Sequence, residues 1–251
     1  MSNQFENRIA LVTGGSRGIG RETALQLASD GADRAISYCS RVDPAKQTVA
    51  EIEALGRHAI HIGCDVSQET QVEKMIAETR EKLGPIDLLA HCGAISNIAS
   101  HKELTFELWR ETIDVNLHGA FLVTMGVKDE MIERGFGRIV LISSVAALRP
   151  RKMQIHYASA KAGVIAMTRC CAEAFAEHNV RVNCVAPGLT ETEMAHTLTD
   201  ETIANIIRAK PMGRIGEANE IANIITFLLS EKSSFMTGQT VVASGGRVTV
   251  P

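Results

Sequence analysis

Short apolar runs alternate with longer amphipathic segments along almost the whole chain of 251 residues. The apolar runs have the length of buried strands, and they lie near 8–13, 33–38, 58–63, 86–91, 137–142, 180–185 and 240–244. Apolar positions at helical spacing predict the helices between them, at 18–30, 44–55, 67–83, 105–132, 154–177 and 217–230. This alternation predicts an α/β fold, because β-α-β crossovers build a parallel sheet that helices cover on both faces.

The interval 189–212, between the sixth strand and the last large helix, departs from this alternation. It contains a short amphipathic stretch through Ile203, Ile206 and Ile207. A segment of this length could close over a binding site as a lid and exclude water, or it could be a passive surface hairpin of helices. No linker rich in Pro, Ser or Gly divides the chain, so we expect residues 1–251 to form a single domain.

Composition and charge narrow the range of partners. A hydrophobic content of 45% supports a sizeable core, and a net charge of -3 gives no reason to expect nucleic acid or a membrane surface as partner. The chain has no apolar run long enough to span a membrane, and its first residues lack the basic start and apolar stretch of a signal peptide. We therefore expect a soluble, cytoplasmic protein. The cysteines and histidines lack metal-ligand spacing, so we predict no metal site.

A glycine-rich turn joins the first strand to the first helix. Its spacing is Gly14-x-x-x-Gly18-x-Gly20. Glycines let the backbone approach a pyrophosphate closely, and a helix amino terminus presents free N–H groups and a positive dipole end. The turn therefore predicts a phosphate cradle, with a glycine turn that binds no ligand as the alternative.

Tyr157 and Lys161 are four residues apart on a predicted helix, and Ser144 ends the fifth strand thirteen residues upstream. Residues at this helical spacing share one face. A neighbouring ammonium group favours the phenolate, so we expect the pKa of Tyr157 to lie below its usual value of about 10. A proton donor, a positive charge and a hydroxyl are the groups that reduction of a carbonyl requires. The alternative for the pair alone is ordinary solvated packing.

These motifs together resemble the short-chain dehydrogenase/reductase superfamily, and within it the 3-oxoacyl-[acyl-carrier-protein] reductase-like subgroup. The resemblance rests on Thr13-Gly14-x-x-x-Gly18-Ile19-Gly20, Asn116, Ser144, Tyr157 and Lys161, with Asp65-Val66, Asn183, Pro187-Gly188, Thr192 and Thr237-Gly238-Gln239 as further matches. It implies a Rossmann-like, doubly wound, seven-stranded parallel sheet of order 3-2-1-4-5-6-7. The cofactor would then lie above strands one and four.

The resemblance also implies roles for individual residues. Tyr157 would donate the proton, Lys161 would bind the nicotinamide ribose, Ser144 would hold the substrate oxygen, and Asn116 would hold a water that relays protons. The residues expected to contact the cofactor are Gly14, Ser16, Arg17, Gly18, Ile19, Gly20, Tyr38, Ser40, Arg41, Asp65, Val66, Cys92, Gly93, Ala94, Tyr157, Lys161, Pro187, Gly188 and Thr192.

The end of the second strand indicates which nicotinamide cofactor binds. A carboxylate there would accept from a ribose 2′-hydroxyl and mark NAD. This chain instead has Ser40 and Arg41, and Arg17 in the glycine loop adds a second guanidinium on that side. Arginine forks match phosphate oxygens, so we predict NADP(H) over NAD(H), with ordinary solvated arginines as the alternative.

Two stretches differ from the usual family pattern. After the fourth strand the family carries Asn-Asn-Ala-Gly, where this chain has His91-Cys92-Gly93-Ala94, and the usual Asp-Gly-Gly near the carboxyl end is Ser244-Gly245-Gly246. The basic segment 149–152 follows Ser144, where the family often has small neutral residues. It could attract an anionic substrate, such as a carboxylate or the phosphates of coenzyme A, or be a solvated loop. The predicted substrate contacts are Ser144, Arg149, Arg151 and Met194.

We therefore predict an NADP(H)-dependent reductase of a ketone, such as a 3-oxoacyl thioester. The alternatives are an NAD-dependent alcohol dehydrogenase of the same family and a nucleotide-sensing protein without turnover. Arg134 and Arg138 could help to dock an acyl-carrier protein, but the helix at 172–177 is apolar and acidic, which argues against such a partner. Family members are commonly tetramers, and the helices at 105–132 and 154–177 would pair across subunits.

Overall fold

A computed structural model describes residues 3–149, 151–193, 195 and 198–249. Within them one parallel sheet has the order β3-β2-β1-β4-β5-β6-β7. Its strands are β1 (Ile9–Thr13), β2 (Asp33–Tyr38), β3 (Ala59–Gly63), β4 (Leu88–His91), β5 (Gly137–Ile142), β6 (Val180–Pro187) and β7 (Thr240–Ala243). The predicted fold class and strand order are confirmed, and the predicted strands differ from these by at most two residues at either end.

Helices cover both faces of the sheet. They are α1 (Gly18–Ser29), α2 (Val42–Ala54), α3 (Glu69–Leu83), α4 (Phe106–Ile113), α5 (Gly119–Glu133), α6 (Ile155–Phe175), α7 (Asp200–Arg208) and α8 (Ala218–Leu229). Leu11 of β1 packs into a core with α3, α5 and α6, whereas its neighbours Ala10 and Val12 pack into a second core with α1, α2 and α8. Alternate residues of a strand therefore serve opposite cores, as in a doubly wound fold. No helix in the described part of the chain is long and apolar enough to cross a membrane.

The long helix predicted at 105–132 is interrupted. Residues Asp114–His118 form a π-helical turn between α4 and α5. A π turn inserts an extra residue into a helix and is frequent at functional sites. Here it contains Asn116, whose side chain is buried.

The carboxyl ends of β1 and β4 lie side by side, with Thr13 opposite His91. From β1 the chain crosses to β2 on one side of this central pair, and from β4 it crosses to β5 on the other side. The two crossovers therefore leave the pair in opposite directions. Ligands of doubly wound folds bind at such a switch point. The glycine loop follows β1 and lies at this edge of the sheet.

The interval between β6 and α8 contains α7, which includes the amphipathic stretch through Ile203, Ile206 and Ile207. Ile206 is the buried residue of α7, and Ile203 and Ile207 are half-buried. The segment after α7 packs against the carboxyl-terminal segment, because Met212 N–H donates to the Gly245 carbonyl at 3.1 Å.

Arg34 of β2 is a charged residue inside the core. It is fully buried, and its Nη1 donates to the Ala24 carbonyl at 2.5 Å, while Nε and Nη2 have no hydrogen-bond partner among the residues that the structure describes. Burial lowers the pKa of its guanidinium to about 9. A buried charge that is only partly compensated, here by the charge of Asp33, destabilises a fold, so we expect Arg34→Met to raise the free energy of unfolding by about 1–4 kcal/mol. Urea denaturation measures this change.

The exposed Arg110 supplies the control, because Arg110→Met removes the same charge from the surface. That variant should change the free energy of unfolding by less than about 0.5 kcal/mol. If Arg34→Met instead destabilises the protein, the hydrogen bond to Ala24 outweighs the burial of the charge.

Candidate active site

The glycine loop forms a closely packed turn between β1 and α1. Gly14 has a φ of +63°, which favours glycine, and a Cβ there would lie 3.0 Å from the Gly93 backbone. A Cβ on Gly20 would lie 2.2 Å from the Gly14 carbonyl oxygen. The first turn of α1 carries no acidic residue, so the positive end of the helix dipole faces the loop uncompensated. A phosphate group fits such a cradle.

Thr13 and His91 hold the loop after β4, where the sequence departs from the family pattern. The Gly93 N–H donates to Thr13 Oγ1 at 3.2 Å, and the same hydroxyl lies 2.9 Å from His91 Nδ1. Burial, with a smaller contribution from the Lys161 charge, lowers the pKa of His91 to about 3, so the ring is neutral. The neutral imidazole of His91 therefore takes part in the hydrogen bonds that connect the end of β4 to the end of β1. Cys92 is half-buried beside it, and burial raises the pKa of the thiol to about 12.

Tyr157 and Ser144 meet at the carboxyl end of β5. Ser144 caps a short 3₁₀ helix (Val145–Ala147), and its Oγ accepts from the Ala146 N–H at 3.1 Å. Tyr157 lies in the first turn of α6 and is 9% exposed. Burial raises the pKa of Tyr157, and a hydrogen bond from Ser144 and the charge of Arg151 oppose that rise. The expected net lowering by Lys161 is therefore wrong in this structure, because loss of hydration outweighs the neighbouring charges.

Lys161 lies one helical turn beyond Tyr157 and is 1% exposed. Its Nζ donates to the Ile142 carbonyl at 2.9 Å and lies 5.8 Å from the centre of the Tyr157 ring. Burial lowers the pKa of the ammonium group to about 8. At neutral pH the group is therefore charged, and it is held between the end of β5 and the phenol.

Asn116 lies in the π-helical turn, and only the nitrogen of its side-chain amide forms hydrogen bonds in the described structure. Nδ2 donates to the Ile95 and Thr112 carbonyls, both at 3.0 Å. Oδ1 is buried and has no hydrogen-bond partner in the described structure. A buried amide oxygen of this kind requires a donor, which an ordered water can supply.

Arg17 and Arg41 converge on one carboxylate, which the sequence analysis did not identify. Arg17 Nη1 lies 2.6 Å from Glu193 Oε2, and Arg41 Nη2 contacts the same oxygen. The three side chains are about half exposed. Two guanidiniums from the glycine loop and from the end of β2 therefore bind one anionic oxygen, supplied by the interval after β6. No local sequence pattern could have indicated this contact, because 176 positions separate Arg17 from Glu193.

Four further predicted cofactor contacts lie at or after the carboxyl ends of β2 and β3: Tyr38, Ser40, Asp65 and Val66. Ser40 is exposed after β2, and the Tyr38 ring packs at 5.8 Å and 57° against His61. Asp65 Oδ1 accepts from the Ser67 N–H at 3.0 Å and from its hydroxyl at 2.8 Å, and Val66 is buried beside it. These side chains line the carboxyl edge of β2 and β3, next to the arginine pair.

Comparison with known proteins assigns the family. The sequence model of the family described as enoyl-(acyl carrier protein) reductase matches residues 14–247. The 3-oxoacyl-[acyl-carrier-protein] reductase of Synechocystis sp. is 38% identical over 242 residues, which cover 96% of this chain and 97% of that protein. Subunit BbsD of the (2S)-[(R)-hydroxy(phenyl)methyl]succinyl-CoA dehydrogenase of Thauera aromatica is 37% identical over 243 residues, 97% of either chain. The crystal structure of levodione reductase superposes with a TM-score of 0.91 at 31% identity, covering 97% of this chain and 98% of that one.

The chain belongs to the short-chain dehydrogenase/reductase family. It is therefore an oxidoreductase that uses a nicotinamide cofactor, as the motifs indicated. The residues present fit such a cofactor: the glycine loop leaves no room for side chains where a pyrophosphate would approach, and the arginine pair already binds an anionic oxygen.

The fold brings the residues after β6 next to the glycine loop. Pro187 ends β6, and the Gly188 N–H donates to the Ala243 carbonyl at 2.7 Å. A Cβ on Gly18 would lie 3.1 Å from Thr192 Cγ2, so the two loops touch. Ser16 is buried in the glycine loop, and Ile19 and Ala94 are half-buried. Met194 lies outside the described residues.

Of the predicted substrate contacts, Arg151 is half-buried and close enough to Tyr157 for its charge to favour the phenolate, whereas Arg149 is exposed. Arg134 and Arg138 do not form the docking surface considered for an acyl-carrier protein. Arg138 is 3% exposed and binds Glu231, and Arg134 binds Asp87 at 2.7 Å. Both side chains are engaged in holding the sheet together.

Proposed function

We propose that this family member is an NADP(H)-dependent reductase that converts a ketone, such as a 3-oxoacyl thioester, into a secondary alcohol. The observation that carries the proposal is the state of Tyr157. This phenol is protonated at neutral pH and burial raises its pKa further, while a hydrogen bond from Ser144 and the charges of Arg151 and Lys161 favour the phenolate left after proton donation. A protonated phenol is the form needed by a proton donor in carbonyl reduction.

Four residues of the chain would then each have a separate role in the reaction. Ser144 Oγ donates a hydrogen bond to the substrate carbonyl oxygen, and the Tyr157 hydroxyl transfers its proton to that oxygen. Lys161 keeps a positive charge beside the phenolate, and the free Oδ1 of Asn116 holds a water from which the proton is replaced. The nicotinamide cofactor, when bound, supplies the hydride.

The same proposal assigns the cofactor contacts. Gly14, Ser16, Gly18, Ile19 and Gly20 would hold the pyrophosphate at the amino terminus of α1. Asp65, with Val66 and Tyr38, would contact the adenine, and the loops after β4 and β6 would contact the nicotinamide half: Cys92, Gly93, Ala94, Pro187, Gly188 and Thr192. Arg17, Ser40 and Arg41 would bind a 2′-phosphate, and this selects NADP(H) over NAD(H).

The contact of Glu193 with both arginines supports the choice of NADP(H) and can be tested. Its carboxylate uses the guanidiniums that the 2′-phosphate would use, so Glu193→Gln removes a competing anion. We expect the Kd for NADPH to fall by about two- to fivefold, the range of exposed ion pairs, with the Kd for NADH unchanged. Fluorescence titration measures both values.

Glu201→Gln in the exposed first turn of α7 removes the same charge from the same interval and serves as the control. Weaker NADPH binding in the Glu193 variant would mean that Glu193 orders the arginines and does not compete for them.

We also propose that residues 1–251 form a single domain in which 189–212 is a substrate lid. The contacts of Thr192 with the glycine loop and of Glu193 with the arginine pair support this role, because they link the interval to the cofactor side of the site. A lid of this kind excludes water during the reaction.

Large exposed apolar side chains support the proposal of a homotetramer. Phe106 is 69% exposed on α4, Phe121 is 49% exposed on α5, and Ile155 opens α6. Exposed apolar patches on helices mark interaction surfaces, and these helices include the two expected to pair across subunits.

The experiment that tests the function follows consumption of NADPH and of NADH with acetoacetyl-CoA and with simple ketones and diketones. Turnover that prefers NADPH supports the proposal, whereas preference for NADH, together with rapid reduction of NAD+ by the corresponding alcohols in the reverse assay, favours the NAD-dependent dehydrogenase. Tight cofactor binding without turnover of any carbonyl would favour the nucleotide sensor. A parallel assay with acetoacetyl-acyl-carrier protein tests whether an acyl-carrier protein is a partner.

A further inference from the structure

The interval after β6 begins with a backbone anchor. The Glu191 N–H donates to the Gly216 carbonyl at 2.8 Å, and the Gly216 N–H donates to the Leu189 carbonyl at 3.0 Å. Thr190 and Gly216 form an isolated parallel bridge between these two hydrogen bonds. The hydrogen bonds join main-chain groups and involve no charged side chain, so a bound anion does not compete for them. We call this bridge the base of the proposed lid.

Glu193, two residues beyond the base, makes a second attachment of a different kind. Its Oε2 lies 2.6 Å from Arg17 Nη1 and also contacts Arg41 Nη2. Arg17 is the N-cap residue of α1 and Arg41 is that of α2, and neither side chain caps its own helix. One carboxylate therefore binds guanidinium groups from the starts of two separate helices, and charge-assisted hydrogen bonds favour an anion there. We call this contact the latch.

The latch is open to competition from a second anion. Its three side chains are about half exposed, so a ligand reaches them without any unfolding. A phosphate monoester has three terminal oxygens and a charge of about -1.5 to -2 at pH 7, whereas a carboxylate has two oxygens and a single negative charge. A phosphate bound to both guanidiniums would therefore displace the carboxylate, and the negative charges of the two groups would repel each other.

The residues beside the latch form a short turn against the cofactor cradle. The Ala195 N–H donates to the Thr192 carbonyl at 2.8 Å, which closes a turn that includes Glu193. A Cβ on Gly18 would lie 3.1 Å from Thr192 Cγ2, so the turn touches the glycine loop. Opening the latch would therefore free this turn from the cofactor side and leave the base of the lid in place.

We propose that the latch couples the position of the lid to the kind of nicotinamide cofactor that binds. A cofactor with a 2′-phosphate takes both guanidiniums from Glu193 and releases the turn, whereas a cofactor with a 2′-hydroxyl leaves the latch closed. The inference rests on the proposed function, which places the 2′-phosphate of NADP(H) on Arg17 and Arg41. It makes Glu193 a specificity-determining residue, because the lid moves over a substrate more readily when the phosphorylated cofactor is bound.

Thermodynamic linkage sets the size of this coupling. The factor by which a 2′-phosphate opens the latch equals the factor by which the latch weakens binding of that phosphate. Exposed ion pairs contribute about two- to fivefold, so we expect both effects to lie in that range. In Glu193→Gln the latch is absent, and the lid should no longer respond to the phosphate.

The test uses two cofactor fragments, adenosine 2′,5′-bisphosphate and 5′-AMP, which differ only in the 2′-phosphate. Hydrogen exchange of peptides that cover 190–195 is measured with each fragment at saturation, because exchange reports local opening. In the wild type the bisphosphate should accelerate exchange of the turn by about two- to fivefold relative to 5′-AMP. Glu193→Gln should exchange at the faster rate with either fragment. The Gly216 N–H reports on the base and should keep the same protection in every sample.

Glu201→Gln is the matched control, because it removes the same charge from an exposed position in the same interval. That variant should respond to the bisphosphate as the wild type does. Slower exchange of the turn with the bisphosphate than with 5′-AMP would overturn the proposal. An undiminished response in Glu193→Gln would overturn it as well, because the response would not depend on the latch.

Binding of the same fragments separates this proposal from the proposed function. If the bisphosphate binds more tightly than 5′-AMP but the turn exchanges equally with both, the NADP(H) assignment stands and the latch alone is overturned. If the bisphosphate binds no more tightly, in the wild type or in Glu193→Gln, both fail. Absence of carbonyl reduction would overturn the reductase proposal without affecting this test, because the fragments carry no nicotinamide. Calorimetric titration measures each Kd, and thermal melting verifies that each variant is folded.

Discussion

Replacing Tyr157 by Phe should lower kcat by about 10²- to 10⁴-fold, the contribution typical of a general acid, while the Kd for NADPH stays within about twofold. Phenylalanine preserves the ring that packs at the start of α6 and removes only the hydroxyl. The expected loss is large because Ser144, Arg151 and Lys161 act through that hydroxyl. Steady-state kinetics measures kcat, and fluorescence titration measures the Kd.

Ser159→Ala provides the control, because it removes a hydroxyl from the exposed face of the same helix. That variant should retain the kcat of the wild type. Retained turnover in Tyr157→Phe would remove Tyr157 from the proposed mechanism. A loss of NADPH binding in that variant would instead place its hydroxyl in the cofactor site.

Removing both guanidiniums, in Arg17→Gln with Arg41→Gln, should raise the Kd for NADPH by about 10²-fold. The charge-assisted hydrogen bonds involved are worth about 1.5–3 kcal/mol each, and the two side chains are half exposed, so we expect the lower part of the combined range. NADH has no 2′-phosphate, so its Kd should change by less than about threefold. The preference between the two cofactors, measured as the ratio of kcat/KM values, should therefore move toward NADH.

Lys74→Gln with Lys102→Gln removes two positive charges from exposed positions elsewhere and controls for net charge. If this control pair weakens NADPH binding as much as the arginine pair does, the effect is a long-range one of overall charge. If neither pair changes the Kd for NADPH, Arg17 and Arg41 do not bind the cofactor, and the NADP(H) proposal loses its support.

Much of the fold was predictable because its signals are local. A buried strand such as β5 is a continuous apolar run, and a helix such as α8 has an apolar stripe, so neither depends on distant residues for its recognition. The order of the strands needed more than periodicity, and it came from the resemblance to a family. The π-helical turn at Asn116 was missed, because an extra residue in one helical turn leaves little trace in the spacing of apolar positions.

The candidate active site shows the same difference between features with a local sequence signal and features set by tertiary packing. The pairing of Tyr157 with Lys161 and the glycine loop on α1 follow from spacing within one element, and so the sequence alone indicated them. The direction of the Tyr157 pKa shift could not be predicted from the sequence, because the burial that raises this pKa depends on how α6 packs on the end of β5.

By itself, the sequence predicted the α/β fold, which is confirmed, together with a phosphate cradle in the glycine loop and a candidate set of residues for carbonyl chemistry. Only the tertiary structure decided which charges meet, as Glu193 does with Arg17 and Arg41. The physical reason is that these contacts join elements far apart in the chain. Electrostatic interactions depend on distance and burial in space, and spacing along the sequence does not report either quantity.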